Sequence, residues 1–268
     1  MIYTMEREQL STGLMPRIEE GITIKSPQEI ARMRAAGKIL AEVLAVLREK
    51  VQPGVTTGDL DAIAAKEIEK RKAKPSFLGY RGYPAHICVS VNDEVVHGIP
   101  GKRVLKEGDV VGIDAGVIYQ GFQADAAVTV GLGSISSEAE HLIATTQKAI
   151  MAGIAAARGG ARLSDISYAV QQTAEAEGFS VVREYVGHGI GRAMHEEPQV
   201  PNFGPPGRGV LLRPGMALAI EPMVNVGDWR TNVGPDNWTV YTSDGSLSAH
   251  FEHSIAITDG EAEILTRL

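Results

Sequence analysis

The chain has 268 residues, 44% of them hydrophobic and 22% charged, enough to bury a sizeable core as one large domain or two fused halves. A formal net charge of -7 comes without the clustered basic surface that releases counterions from phosphates, so nucleic-acid binding is not expected. The single cysteine, Cys88, excludes an internal disulfide and fits a reducing compartment such as the cytoplasm.

In chain order, residues 1 to about 22 carry weak periodicity and early charge, so no signal peptide is expected there. They are expected to form an N-terminal extension, lying on the surface or partly disordered. No run approaches the ~18 apolar residues of a membrane span. Ser26-Pro27-Gln28-Glu29 combines an N-cap, a first-turn proline and a carboxylate three residues on, which predicts a helix start. Ile30, Met33, Ala36, Leu40, Val43 and Leu47 recur at three and four, carrying that helix to about Lys50, before Pro53-Gly54 ends it. Thr57-Gly58-Asp59 restarts a second helix, to about Lys72, whose basic end is read as a solvated terminus. Ile87 to Val91 and Val110 to Ile118 are rich in β-branched residues and read as strands. Helices from about Ser137 to Arg158 and Leu163 to Glu177 follow, then short strands around Val181, Ala217, Ser254 and Ile264. The order helix, helix, strands thus occurs twice. It predicts an α+β protein of two halves, about 23 to 135 and 136 to 268, sharing one sheet system with a cleft between them.

Asp114 and Asp125 stand in otherwise apolar strands joined by the turn Tyr119-Gln120-Gly121. With the loop centred between Tyr119 and Gln120 they face each other, Cβ atoms ~5 Å apart; a bulge at Gly121 would shift that register. Two half-buried carboxylates this close repel unless a cation lies between them. Glu221 and Glu252 likewise end or interrupt apolar runs, and each needs a partner if buried. His188 and His195 lie in the glycine-rich segment Gly187 to Pro198, which lacks the lysine of a phosphate loop, and His97 lies in a Gly/Pro turn. Two Asp, two Glu and a His form an oxygen-rich donor set suited to Mn, Fe or Co rather than to thiolate-held zinc. That many carboxylates point to two ions and a hydrolytic reaction.

The ordered motifs resemble those of type I methionine aminopeptidases of the bacterial kind, from about Ile22 to Ile264. They include Gly79-Tyr80-Arg81-Gly82-Tyr83-Pro84, Asn92 to Pro100, the Asp114/Asp125 hairpin, Gly187 to Val200, Glu221-Pro222-Met223-Val224 and Ser248-Ala249-His250-Phe251-Glu252-His253. The resemblance implies the pita-bread fold, two pseudo-symmetric halves around a central cleft, and removal of the initiator methionine from nascent proteins. It implies two divalent ions, of Co, Mn, Fe or Zn, held by Asp114, Asp125, His188, Glu221 and Glu252, with Asp125 and Glu252 bridging. Asp114 would chelate one ion, His188 and Glu221 the other. A bridging hydroxide would attack the first peptide carbonyl while Glu221 helps to move the proton. His195 would stabilise the oxyanion and His97 would bind the peptide beyond the scissile bond. The methionine pocket would be formed by Tyr80, Tyr83, Cys88, Met194 and Trp238 together with His97 and His195. A thioether gains about 0.3 to 1.5 kcal/mol per aromatic contact there. Phe77 and Met194 stand where some members of that family differ in the pocket wall, Ala126-Ala127 follows Asp125 where the family often has a hydroxyl, and the extension has no zinc-finger cysteines. The short spacing from His195 to Glu221 leaves no room for the helical insertion of type II enzymes.

Prolidases and proline aminopeptidases share the ligand set, but the extension is too short for their added N-terminal domain. A non-catalytic binding protein of the same fold is disfavoured by the presence of all five expected ligands. Ribosome contact and a monomeric state complete the expectations.

Overall fold

The computed structural model describes residues 3–4 and 21–268, so the extension expected over residues 1 to 22 lies almost entirely outside the described residues. After β1 (Tyr3–Thr4), helix α1 spans Pro27–Lys50. It begins at the expected capping box: the Ser26 hydroxyl accepts from the Glu29 amide, and the Glu29 carboxylate accepts from the Ser26 amide. Met33, Ala36, Leu40, Val43 and Leu47 form its buried stripe. Helix α2 (Thr57–Lys70) opens on a second capping box, Thr56 with Asp59. It stops two residues short of the expected end because Lys72 turns left-handed, at φ 58°, and the Ala73 amide bonds back to Ile68.

Strands β2 (Lys74–Pro75), β3 (Ile87–Val91), β4 (Glu94–Val96), β5 (Val110–Tyr119) and β6 (Phe122–Gly131) follow. Next come α3 (Ser137–Ala156) and α4 (Leu163–Glu175), and α4 ends short of the expected Glu177 at a turn closed by Gly178, φ 84°. The remaining strands are β7 (Ser180–Val181), β8 (Tyr185–Gly189), β9 (Glu196–Val200), β10 (Ala217–Ile220), β11 (Met223–Asn225), β12 (Thr231–Val233), β13 (Val240–Thr242), β14 (Ser248–His250), β15 (Glu252–Ala256) and β16 (Glu263–Ile264). Among the described residues no helix is long and apolar enough to cross a membrane.

A ten-stranded sheet runs β1-β8-β10-β15-β6-β5-β2, with β16 on β15, β3 on β5 and β9 on β8. Two three-stranded sheets, β14-β11-β7 and β12-β13-β4, flank it. One core packs α1 and α2 onto β3, β5 and β6 through Leu40, Leu47, Leu60, Ile68, Ile113 and Val117. A second packs α3 and α4 onto β10 and β15 through Ile150, Ile166, Leu218, Ile220 and Ile255. The architecture is the mixed α/β pita-bread arrangement.

The two helix-covered regions meet where β6 pairs with β15, at Glu252↔Ala127 and His253↔Ala126. Two buried hydroxyls reinforce this seam. Ser254 Oγ accepts from the Asp125 amide at 2.9 Å and donates to the Asp125 carbonyl at 2.8 Å. Thr129 Oγ1 accepts from the His250 amide at 2.9 Å and donates to the His250 carbonyl at 2.7 Å.

Candidate metal centre and active site

The β5-β6 hairpin corrects the expected pairing. Tyr119 pairs with Phe122, so the turn is Gln120-Gly121, both at positive φ (49° and 80°), and no bulge interrupts the ladder. Asp114 therefore faces Ala127, and Asp125 faces Gly116. The two aspartates are diagonal neighbours, not opposite ones. Because the register moves by two residues, both still point to the same face, and their carboxyl groups meet there.

Four further elements bring residues to that face. His188 lies in β8, Glu221 directly follows β10, Glu252 starts β15, and His195 sits in the loop before β9. Asp114, Asp125, His188, Glu221 and Glu252 are all buried. His188 Nε2 is 3.5 Å from Glu221 Oε1 and 4.0 Å from Asp125 Oδ2. The His188 Nδ1–H donates to the Gly189 carbonyl at 2.8 Å, which leaves the Nε2 lone pair for the acidic cluster.

Burial drives the electrostatics. Asp114 is pushed up to about 7, chiefly by loss of water. Asp125, Glu221 and Glu252 are raised well above the usual carboxylate range, by burial first and by one another's charge second. Burial lowers His188 to about 4 and His250 to about 3, and it lowers His97 and His195 strongly, so all four imidazoles are neutral near pH 7. Asp114 Oδ1, Asp125 Oδ1, both Glu221 oxygens and Glu252 Oε1 are buried without a hydrogen-bond partner among the described residues. A buried acceptor left unpaired is costly. Divalent cations fit this donor set: two such ions balance four carboxylates, and carboxylate with imidazole is the ligand chemistry of first-row metals. Donor atoms of Asp125, His188 and Glu252 lie within 4.8 Å of one another, as do those of Glu221, His250 and Glu252.

These shifts set a pH dependence. Near pH 6.5 the imidazoles of the unfolded chain are half protonated, but that contribution is the same with and without metal and is gone by about pH 7.5, above which the imidazoles no longer titrate. The raised carboxyls still do, because the folded metal-free protein holds protons that the unfolded chain has already released, so its stability falls as pH rises. Bound cations favour the ionised acids and reverse the loss. The rise in Tm on adding Mn or Co to chelator-treated protein should therefore be larger at pH 8.5 than at pH 6.5. A gap that is constant or shrinks between these pH values would contradict the acidic metal centre.

The same cavity is lined by Phe77, Tyr80, Tyr83, Cys88, His97, His195 and Trp238 beside the acids. Tyr83 meets Phe77 and Trp238 edge to face at 6.5 and 5.0 Å, and its hydroxyl bonds the Ile87 and Gly98 carbonyls at 3.1 Å each. Cys88 is buried and its thiol is raised by burial, so it is an apolar wall and not a nucleophile. Met194 is buried in the same cluster as Phe77, and both side chains approach Gly116. Phe77 takes a lining position. His97 has φ 62°, a strained conformation, with its ring edge to face with Tyr185 and Trp238. His195 stacks on Tyr80, and Tyr80 Oη lies 2.8 Å from its Nδ1. Its ring centroid is 4.2 Å from that of His188.

His250 is the buried residue that sequence reasoning left without a role. It shares a face with Glu252, two positions on, and that period of two was the available signal.

Residues 31–259 match the model of metallopeptidase family M24. The chain is 56% identical over 245 residues to a methionine aminopeptidase of Clostridium perfringens, covering 91% of this chain and 98% of that protein. It is 51% identical to methionine aminopeptidase 1 of Bacillus subtilis, covering 92% of this chain and all of the relative (100%). The crystal structure of a methionine aminopeptidase from Thermotoga maritima superposes with a TM-score of 0.91 at 50% identity, covering 92% of this chain and 100% of that one.

Proposed function

The chain belongs to metallopeptidase family M24, and on that premise we propose how its residues carry out the family's chemistry. It is a metal-dependent aminopeptidase that removes methionine from the N-terminus of peptide chains, the activity of relatives it matches along nearly their whole length. The observation that carries the reading is the set of partnerless buried oxygens beside His188, adjoining a wall of aromatic and sulfur groups.

Asp114, Asp125, His188, Glu221 and Glu252 would hold two divalent ions. When bound, the ions polarise the first peptide carbonyl and favour ionisation of water. A Glu221 carboxylate oxygen accepts the proton of the attacking water and returns it to the leaving amine nitrogen. His195 is neutral, and Tyr80 O–H donating to Nδ1 selects the tautomer with a proton on Nε2, a donor for the developing oxyanion. His97 receives the peptide beyond the scissile bond, from a backbone fixed by its left-handed conformation. Tyr80, Tyr83, Cys88, Trp238 and Phe77 enclose the methionine thioether, with Met194 packed in the same cluster. The substrates are nascent chains in the cytoplasm, met by a monomer that contacts the ribosome. The extension of residues 1 to 22 precedes a catalytic unit of two pseudo-symmetric halves.

Metal-loaded protein supplied with Met-Ala-Ser should release free methionine, and an Ala-Pro-type peptide should not be cut. Absence of methionine release with each of Mn, Fe, Co and Zn would sink the reading.

A further inference from the structure

One more nitrogen donor faces the acidic cluster. His250 ends β14 with only 4% of its surface exposed, and its Nε2 has no hydrogen-bond partner among the described residues. A donor atom of its ring lies within 4.8 Å of carboxylate oxygens of Glu221 and Glu252. Both Glu221 oxygens and Glu252 Oε1 are likewise buried and unpaired. A neutral imidazole beside two unpartnered carboxylates in one dry volume leaves several groups unsatisfied at once, and a cation between them satisfies all of them. The main chain on both sides of the ring is fixed by Thr129, whose hydroxyl bonds the His250 amide and carbonyl together. The imidazole is thus presented from a rigid frame, as a ligand must be.

We propose that His250 is a sixth ligand of the metal centre, binding through its imidazole the ion that Glu221 and Glu252 hold. This rests on the two-ion reading above and extends it. A second imidazole in place of water or carboxylate makes the centre softer and favours Fe, Co or Zn over Mn.

Proton NMR of the protein loaded with two equivalents of cobalt tests this directly. Each imidazole bound to cobalt gives one exchangeable, strongly shifted N–H resonance, and two are expected, from His188 and His250. His250→Gln should retain one and should bind one of the two ions roughly 10- to 100-fold more weakly by calorimetry, with the loss larger for cobalt than for manganese. A single such resonance in the unaltered protein carrying two cobalt ions overturns the proposal, and this count needs no variant. Failure of the unaltered protein to bind two cobalt ions overturns the two-ion reading instead.

Discussion

Glu252→Gln should abolish tight binding of at least one metal ion and lower kcat/KM by about 10³-fold or more. Glu252 belongs to both groups of converging donors, one with Asp125 and His188 and one with Glu221 and His250. The amide keeps the shape of the side chain and its place at the start of β15, opposite Ala127. What it loses is the negative charge shared between two positive sites. Metal ions contribute several kcal/mol of transition-state stabilisation, and about 1.36 kcal/mol corresponds to each factor of ten. The variant should also be more stable than the unaltered protein when both are metal-free, because one buried acid with a raised pKa has been removed. Metal content by atomic absorption, turnover and metal-free Tm check the three parts. Full metal content with activity within about tenfold of the unaltered protein would refute a ligand shared by two ions.

His195→Ala should lower kcat by about 10² to 10³-fold, the cost of losing one preorganised oxyanion donor. Metal content should stay the same, because His195 belongs to neither donor group. KM should change little, since the hydrogen bond forms mainly as charge develops on the oxygen. Tyr80→Phe should act in the same direction by less: it removes the hydroxyl 2.8 Å from Nδ1 and leaves the ring that stacks on the imidazole. A His195→Ala effect confined to KM would show that the residue binds substrate and does not act on the oxyanion.

Much of this site was legible because charge in an apolar strand is conspicuous. Asp114, Asp125, Glu221 and Glu252 each violate the hydrophobic run around them, and the structure gathers all four on one buried face. The first helix start was equally plain, since Ser26/Glu29 is a local signal that tertiary packing had no cause to override; Thr57-Gly58-Asp59 located the second, whose capping box is Thr56 with Asp59. Helix ends were less plain: Lys72 adopts a left-handed conformation that its residue type does not announce. The hairpin register failed for a related reason. Gln120, a residue with no preference for positive φ, occupies the first turn position, so the turn centre lies one residue later than expected. Phe77 shows what composition leaves open, since only packing decides which apolar side chain lines a cavity. His250 escaped notice because Phe251 separates β14 from β15, hiding the two-residue period that links it to Glu252.

The seam between β6 and β15 has a bearing on when the enzyme comes into being. Asp114 and Asp125 are made well before Glu252, and the contacts that align them, Asp125 with Ser254 and Thr129 with His250, join segments far apart in sequence. Such distant pairings close late and all together. A chain still short of β15 has its first pair of carboxylates but not the face that opposes them, so it has no complete cage for two ions. Catalytic competence therefore arrives with β15, and a protein that trims other chains at their beginnings is itself inactive until a segment far beyond its first two ligands has been made.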